Sequence, residues 1–474
     1  MRRVVAILIS IICPVVIYAE GLSFEVAKEL MMANNLEIRS AQEGVAAAEL
    51  ELRATHSLRY PSIDLVGGYV LMQRDVGIDL GGSKGALSDA AQHFIGEGVS
   101  SGILSPDVAQ FISNAISPLL AADWSLILQK RSTMVGAVSM VQPIYMGGRI
   151  DAAVESAEIA ANSAKYQLEA VVNSKLTELV ECYYGVIAAE MARDVRQQVV
   201  AGIKSHLTDA EALESEGMIP HSEVLYVQYK LSEAERELHT AQSKLMLARE
   251  ALHRLIGDDI GENLTNRIFI VEAIYNLDYY TENGVNLNPI LLDAKSKIAL
   301  SEQGVKAARA ELLPEVAAFG GATFVSHNLT DLIPRWSVGV GIRLKLFDGL
   351  GKERRFQAAK QINRMAHTAV DDAESGIRLI IENEYHNTIN SLYDVGSMQT
   401  TIEFATSYLQ AKSDGFNEGV TPSSELIDAQ LALSAAKLEQ SVAAFTFCKS
   451  LARLLEVSGL SHTFEEYQQK AIFL

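Results

Sequence analysis

Proline, cysteine and clustered positive charge are all scarce in this chain. Its 474 residues include 10 prolines and 3 cysteines, and 59 acidic residues outnumber 40 basic ones, which gives a formal net charge of −19. Scarce proline beside abundant alanine, glutamate, leucine and glutamine is typical of long helices rather than of a compact α/β enzyme. The acidity argues against nucleic acid as a partner, because phosphate binding requires clustered lysine and arginine.

Long apolar runs are absent except at the start of the chain. Two basic residues are followed by an apolar stretch from Val4 to Ile17 and by a small residue, Ala19. We therefore predict a signal peptide over residues 1–19, although Ile17 leaves the cleavage site open. Cys13 is a weak candidate for lipidation. An uncleaved anchor helix is the alternative, but ~14 apolar residues are fewer than the ~20 that span a bilayer.

Beyond this segment, no window of about 18 uncharged apolar residues occurs, so a later membrane crossing would require strands. The two remaining cysteines, Cys182 and Cys448, both lie in helical patterns. We expect them to be buried as small apolar residues rather than joined in a disulfide.

Recognisable catalytic and ligand-binding motifs are also missing. The ten histidines are scattered without metal-binding spacing, and neither a nucleophile elbow nor a dinucleotide fingerprint occurs. The sequence Gly81-Gly-Ser-Lys-Gly is not a phosphate loop, because Ser or Thr does not follow Lys84. We predict no catalytic residue, no cofactor and no metal site, and we do not expect an enzyme.

What the chain does contain is an internal duplication. Residues 35–68 recur at 288–321, and residues 145–231 recur at 347–433. Each copy of such a repeat is a structural unit that cannot complete its own burial. We predict, in order, a first repeat, a connector or equatorial region, a second repeat and a C-terminal tail. Their ranges are 20–257, 258–287, 288–460 and 461–474.

Each repeat contains two segments in which apolar and small or polar residues alternate. The clearest places Trp336, Val338 and Val340 on one face and Ser337 and Gly339 on the other. Segments of 10 to 13 residues match tilted membrane strands, which are about 9–11 residues long. The alternative is a half-buried strand in a soluble sandwich. The predicted strands cover residues 62–72, 133–145, 315–326 and 335–347.

Four strands are too few to close a barrel around a channel, since small barrels need about eight. Either the hairpins lie in a soluble sheet or several chains pool them, and three chains would supply twelve strands. The first hairpin also carries an insertion rich in glycine, serine and aspartate, with a possible short helix over 106–120. Residues 73–131 read as a long extracellular loop.

Long helices account for most of the remaining chain. Small and apolar residues recur in alternating steps of four and three from Ile150 to Val171, which predicts close helix–helix packing. Glycine followed by proline then separates each long helix from a shorter one, and we expect proline at the first helical position. The predicted long helices cover 148–216, 220–256, 351–418 and 422–455. Shorter helices are predicted over 22–59 and 288–313.

Short motifs at equivalent points of the two repeats connect these elements. They are Leu-Pro-Glu-Val at 313–316, Gln-Pro-Ile-Tyr at 142–145, Leu-Phe-Asp-Gly at 346–349, and Asn-Glu-Gly-x-x-Pro-x-Ser-Glu-Leu at 417–426. As an ordered, duplicated set, they resemble the TolC-like outer-membrane efflux family over residues 21–457. The resemblance implies a mainly α fold with a membrane β part: a long α-helical barrel, and four strands contributed to a trimeric 12-stranded β-barrel.

The resemblance also implies functional positions at the two helical turns. The family's adaptor-contacting tip corresponds to Gly217, Met218, Ile219, Pro220, Gly419, Val420, Thr421 and Pro422. Its acidic periplasmic constriction corresponds to Glu425 and Asp428, with Glu223 as the first-repeat counterpart. A basic residue of the family's second turn can form a salt-bridge latch, but Thr421 stands there in this chain. Helix capping is the alternative role for the three acids.

We interpret the chain as the outer-membrane channel-tunnel of a tripartite efflux or type I secretion system. The resemblance implies a homotrimer in outer-membrane lipid that extends into the periplasm, with a periplasmic adaptor and an inner-membrane pump as partners. The alternative is a periplasmic coiled-coil adaptor or structural protein that is not inserted in a membrane. The sequence does not identify the transported substrate.

Overall fold

The computed structural model describes residues 21–257, 263–329 and 334–473, apart from the side chains of Ser125 and Leu126. The predicted signal peptide and Cys13 lie outside these residues. The helices are α1 Phe24–Asn34, α2 Leu36–His56, α3 Gly81–Ser100, α4 Pro106–Ala121, α5 Arg149–Ser215, α6 His221–Ile256, α7 Leu277–Leu287, α8 Pro289–Ala310, α9 Gly351–Asn417, α10 Ser423–Val457 and α11 Phe464–Gln469. The strands are β1 Ser62–Leu71, β2 Val76–Asp79, β3 Ser125–Gln129, β4 Ser132–Tyr145, β5 Phe269–Ile270, β6 Glu315–His327, β7 Trp336–Arg343 and β8 Ile472–Phe473.

The duplicated order of helix, hairpin, long helix and shorter helix is confirmed. The two longest helices, α5 and α9, have 67 residues each, and α6 and α10 have 36 and 35. No described helix combines the length and the apolar character needed to cross a membrane. The chain divides into two compact units, and each repeat contributes to both. Of the described residues, one unit comprises 21–52, 155–257, 263–305 and 358–473, and the other comprises 53–154, 306–329 and 334–357.

The helix predicted over 22–59 is wrong as a single element, because it breaks at Asn35. The side chain of Asn35 accepts hydrogen bonds from the backbone N–H groups of Glu37 and Ile38 at 3.0 and 3.2 Å. Asparagine thereby caps a new helix, α2. Asn288, its counterpart in the second repeat, accepts from the N–H of Leu291 at 3.0 Å and separates α7 from α8 in the same way.

The smaller unit contains a four-stranded antiparallel sheet in the order β1-β4-β6-β7. Strand β7 ends at Arg343, so the strand predicted over 335–347 is too long. Arg343 lies opposite Glu315, the first residue of β6. Pro314, which precedes Glu315, has no N–H that could extend the hydrogen bonding between β6 and β7. Residues beyond Arg343 therefore have no partner strand.

One face of this sheet is largely apolar and exposed. Ile63 and Leu65 of β1 lie opposite Met140 and Val138 of β4. The other edge strand, β7, exposes side chains on the same face. Their exposed fractions are 69% for Trp336, 76% for Val338, 63% for Val340 and 73% for Ile342.

Strand β4 contributes Met134, Val138 and Met140 to this face.

Glycine on the opposite face of the sheet makes room for an aromatic ring. A Cβ atom at Gly339 would lie 2.8 Å from Cζ of Phe319, and one at Gly341 would lie 3.5 Å from the same ring. Phe319 therefore lies across the two glycines of the neighbouring strand. This close approach explains why the polar face of β7 carries glycine rather than larger side chains.

The insertion between β1 and β4 is more regular than its composition suggests. The helix expected over 106–120 is present as α4, capped by the Ser105 side chain, which accepts from the N–H of Val108 at 3.4 Å. A second helix, α3, and the paired strands β2 and β3 were not predicted. Repeated glycine in 81–98 concealed α3, because glycine is a poor helix former.

The larger unit has an aromatic core to which α1, α5, β5 and α11 each contribute a ring. Tyr183 and Tyr184 of α5 contact Phe24 with ring centroids 5.5 and 6.0 Å apart. Phe464, from the tail, lies 5.4 Å from Phe24 and 5.9 Å from Phe269. The tail and the connector are thus joined through this core, and β5 pairs with β8.

Both described cysteines are free, as expected. Cys448 is fully buried and Cys182 is half-buried. Burial raises the pKa of the Cys448 thiol to about 12 and that of Cys182 to about 11, so both thiols are protonated at neutral pH.

Candidate functional site: the paired helical turns

The first turn closes α5 with glycine in a left-handed conformation. Gly217 has φ +74°, and the N–H of Met218 reaches back to the carbonyl of Leu213 at 2.9 Å. The second turn repeats this geometry after α9. Gly419 has φ +76°, and the N–H of Val420 donates to the carbonyl of Gly415 at 2.9 Å. In both, glycine just past the helix end satisfies carbonyl groups that the helix leaves free.

The prolines of the turns precede the helices rather than begin them. Pro220 and Pro422 are N-cap residues with extended backbones, at φ −74° and ψ 151°, and φ −72° and ψ 156°. The expectation of proline at the first helical position is therefore wrong by one residue. Proline fixes φ and has no N–H, so it fits the residue immediately before the helix, where no backbone hydrogen bond from that N–H is needed.

The two turns line one groove of about 330 Å³. Met218 and Val420, which are equivalent in the two repeats, are exposed by 66% and 77%. Of the eight positions implied for the tip, all except Gly217 line the groove. These are Met218, Ile219, Pro220, Gly419, Val420, Thr421 and Pro422. The structure thus brings the predicted tip positions of both repeats together.

Glu425 and Asp428 are both exposed and lie one turn apart on α10. Glu425 is not free: its carboxylate accepts a hydrogen bond from Nζ of Lys412 on α9, 2.5 Å away. The hydrogen bond to Glu425, followed by its negative charge, raises the pKa of Lys412. This ion pair joins α9 to α10 across the turn and neutralises one of the two acids.

Glu223 occupies a different environment from its second-repeat counterpart. It lies in the first turn of α6 and lines the groove. Its Oε2 atom is buried and has no hydrogen-bond partner among the described residues. The carboxylate therefore points inward at the turn, whereas Glu425 is half-exposed.

Sequence comparison of the repeats did not reveal the polar side-chain contacts of the turns. Lys412 corresponds to Ala210 in the first repeat, so the duplication gives no sign of its role. The first turn has its own pair, between Nδ1 of His221 and Oε1 of Glu214 at 2.7 Å. Thr421 is not basic and therefore cannot form the salt-bridge latch that the family resemblance implies. Lys412 supplies a cross-turn ion pair from another position.

A buried histidine near the first turn was also missed. His206 of α5 is 5% exposed, and its ring stands edge-on to Phe416 of α9, with centroids 4.3 Å apart at 78°. Neither ring nitrogen has a hydrogen-bond partner among the described residues. A lone histidine in a helical pattern carries no signal that distinguishes it from an ordinary packing residue.

Within residues 21–257, 263–329 and 334–473, no group of three or more His, Cys, Asp or Glu side chains is arranged to hold a metal ion. The site thus consists of a groove, exposed and buried carboxylates, a cross-turn ion pair between Lys412 and Glu425, and a hydrogen bond between His221 and Glu214. Such an arrangement can bind cations weakly and contact another protein.

Comparison with known proteins places this geometry in context. The family model for outer membrane efflux proteins matches residues 122–258 and 285–460. Protein CyaE of Bordetella pertussis is 24% identical over 277 residues, which cover 54% of this chain. The match spans 58% of the length of that curated relative.

Solved structures match over most of the chain. The Campylobacter jejuni CmeC outer membrane channel has a TM-score of 0.71 and 12% identity, covering 94% of this chain and 89% of CmeC. A membrane protein from Pseudomonas aeruginosa has a TM-score of 0.73 and 13% identity, covering 92% of this chain and 90% of the other. At these identities, the similarity shows that the fold is shared.

Proposed function

Because this chain belongs to the family of outer membrane efflux proteins, we propose that it is the exit duct of a tripartite efflux or type I secretion system. In this proposal three copies assemble, their hairpins form one barrel in the outer membrane, and their helices form a tunnel in the periplasm. A periplasmic adaptor and an inner-membrane pump deliver the substrate. The duct itself is passive.

The open sheet is the observation that carries this proposal. Strands β1 and β7 are the edges, each paired on one side only. Unpaired edges in lipid would cost several kcal/mol for each unsatisfied backbone group, so a membrane sheet must close. The apolar face that includes Leu65 and Val338 is exposed. Pairing β1 of one copy with β7 of the next would remove all edges and turn this face to lipid.

The two turns fit the periplasmic end of such a duct. Met218 and Val420 present apolar side chains beside the groove, which suits docking of an adaptor. Three copies of Glu425 and Asp428 would form stacked rings of carboxylates, which attract cations and repel anions in a water-filled neck. We therefore assign the constriction to Glu425 and Asp428, with Glu223 behind them, and adaptor contact to residues 217–220 and 419–422.

Membrane insertion can be tested with two neighbouring residues on opposite faces of β7. Val338→Arg places a charge on the apolar face, where it costs about 2–4 kcal/mol at the bilayer midplane. Ser337→Arg places the same charge on the other face. We expect wild type and Ser337→Arg to fractionate with the outer membrane and to migrate on gels as heat-sensitive trimers. Val338→Arg should do neither.

The adaptor-like alternative makes the opposite prediction. If all three proteins were recovered from the periplasm as soluble species, the duct would be excluded. Conductance of the purified trimer in planar bilayers provides a second measurement, because a structural protein outside the membrane would conduct nothing.

A further inference from the structure

The contact between His206 and Phe416 joins the two repeats close to the turns. His206 lies on α5 of the first repeat and Phe416 lies in the last turn of α9 in the second. Both side chains are buried, with exposed fractions of 5% and 4%. A buried aromatic contact of this kind holds the end of α9 against α5 as long as the imidazole is neutral.

The surroundings of the ring are mostly apolar. Ile203 and Ala210, about one helical turn on either side of His206, belong to a buried cluster that also contains Val224 of α6 and Ile427 of α10. Helix α9 presents the Phe416 ring. The acids that act on the imidazole are Asp209 on its own helix and Glu223 on α6.

We propose that His206 is a proton-sensitive contact that holds the end of α9 against α5 at neutral pH and releases it in acid. The inference deepens the proposed function, since it rests on the turns being the closing point of the duct. Burying an imidazolium against Phe416 without hydrogen bonds is costly in so apolar a site. The buried Oε2 of Glu223, which has no partner among the described residues, supplies an acceptor on α6.

Electrostatics gives the direction of the effect. Burial lowers the pKa of His206 below its ordinary value, and this outweighs Asp209 and Glu223, which raise it. The released state therefore binds protons more readily than the packed state. The contact between His206 and Phe416 therefore has its full stability above the ordinary histidine pKa, near 6.5. This stability is lost as the pH falls from that value toward the lowered pKa of the buried ring.

The separation of the two turns can be measured directly. Glu216→Cys and Glu418→Cys, at exposed positions, would carry spin labels in a full-length chain with Cys182 and Cys448 replaced by alanine. Trimers with a minority of labelled chains give the distance within one chain by electron double resonance. Between about pH 7.5 and about pH 5.5, where histidine changes charge, we expect the distance to lengthen in wild type.

Three variants identify the proton that matters. His206→Phe keeps an aromatic contact, His206→Gln keeps a polar side chain, and neither takes up a proton in this range, so we expect no lengthening in either. His221→Gln removes the exposed histidine of the first turn and should respond as wild type does. An unchanged distance in wild type, or equal lengthening in His206→Phe, would overturn the inference.

Conductance separates this inference from the proposed function. The ratio of open to closed tips can change by at most about tenfold per pH unit for each proton taken up, and we expect at least about a threefold rise in wild-type current. Current that is present but independent of pH would overturn the role of His206 and leave the duct intact. A protein without current at any pH would contradict the duct, and the label distance would still decide the role of His206.

Discussion

The two helical turns share a backbone but not their charges. In each, a left-handed glycine ends a 67-residue helix and a proline three residues later caps the next one. The hydrogen bonds that close the turns also correspond, from Met218 to Leu213 and from Val420 to Gly415. Duplication has therefore kept the residues on which the path of the chain depends.

The polar residues of the turns differ. In the second turn Lys412 pairs with Glu425, whereas in the first Ala210 stands at the equivalent of Lys412 and the acid, Glu223, turns inward. In the first turn His221 pairs with Glu214 instead. Backbone geometry restricts glycine and proline, but many side-chain pairs can connect two helices across a turn. The comparison indicates that the fold repeats at the turns and the electrostatics does not.

The largest effect is expected where the turns are the same. Gly217→Ala and Gly419→Ala should each destabilise by about 1–2 kcal/mol, because an alanine Cβ is strained in the left-handed region. Open space surrounds both glycines, so the strain arises from the backbone alone. Thermal unfolding followed by circular dichroism should show similar losses for the two variants.

Gly396→Ala is the matched control for that comparison. Gly396 lies inside α9 with open space around it, so alanine should stabilise the helix by roughly 0.5–1 kcal/mol. If Gly217→Ala and Gly419→Ala differed widely in stability, or if either behaved like Gly396→Ala, the two turns would not share one backbone requirement.

The next effect concerns the two exposed acids of the second turn. Asp428→Asn should lower the preference for cations over anions in planar bilayers by about threefold, because it removes an exposed carboxylate from each copy at the proposed constriction. Glu425→Gln should lower it by a similar factor, because it leaves the positive charge of Lys412 without its partner. Equal ion selectivity in wild type and Asp428→Asn would leave the two acids with helix capping alone.

Sequence reasoning succeeded where the chain has few alternatives. Strand alternation, proline-free lengths and the glycine–proline spacing predicted the helices and strands that build the duplicated fold. It failed at Asn35, because a single asparagine within a helical pattern does not identify a helix cap. It also failed in α3, because the high glycine content indicated a loop where the chain forms a helix. Lys412 was invisible because its partner lies across the turn, and an ion pair between helices leaves no periodic signal.

A smaller effect of opposite sign is expected from the cation of the second turn. Lys412→Met should raise the preference for cations by about twofold, because the freed Glu425 adds its charge to the neck. Lys204→Met is the control: it removes an exposed ion pair between Lys204 of α5 and Glu235 of α6, whose charged atoms are 3.2 Å apart. This variant should leave ion selectivity unchanged. A fall in cation preference in Lys412→Met would show that the lysine does not mask Glu425.

The smallest effect belongs to the first turn. Glu223→Gln should change ion selectivity much less than Asp428→Asn, because Oε2 of Glu223 is buried and Asp428 is exposed. Both substitutions remove one charge and keep nearly the same shape, so they are matched apart from position. If Glu223→Gln lowered cation preference as much as Asp428→Asn, the inward carboxylate would have to face the water-filled neck in the assembled duct. The two turns would then contribute equally to the constriction. The electrostatic difference between them would exist only in a single, unassembled copy of the chain.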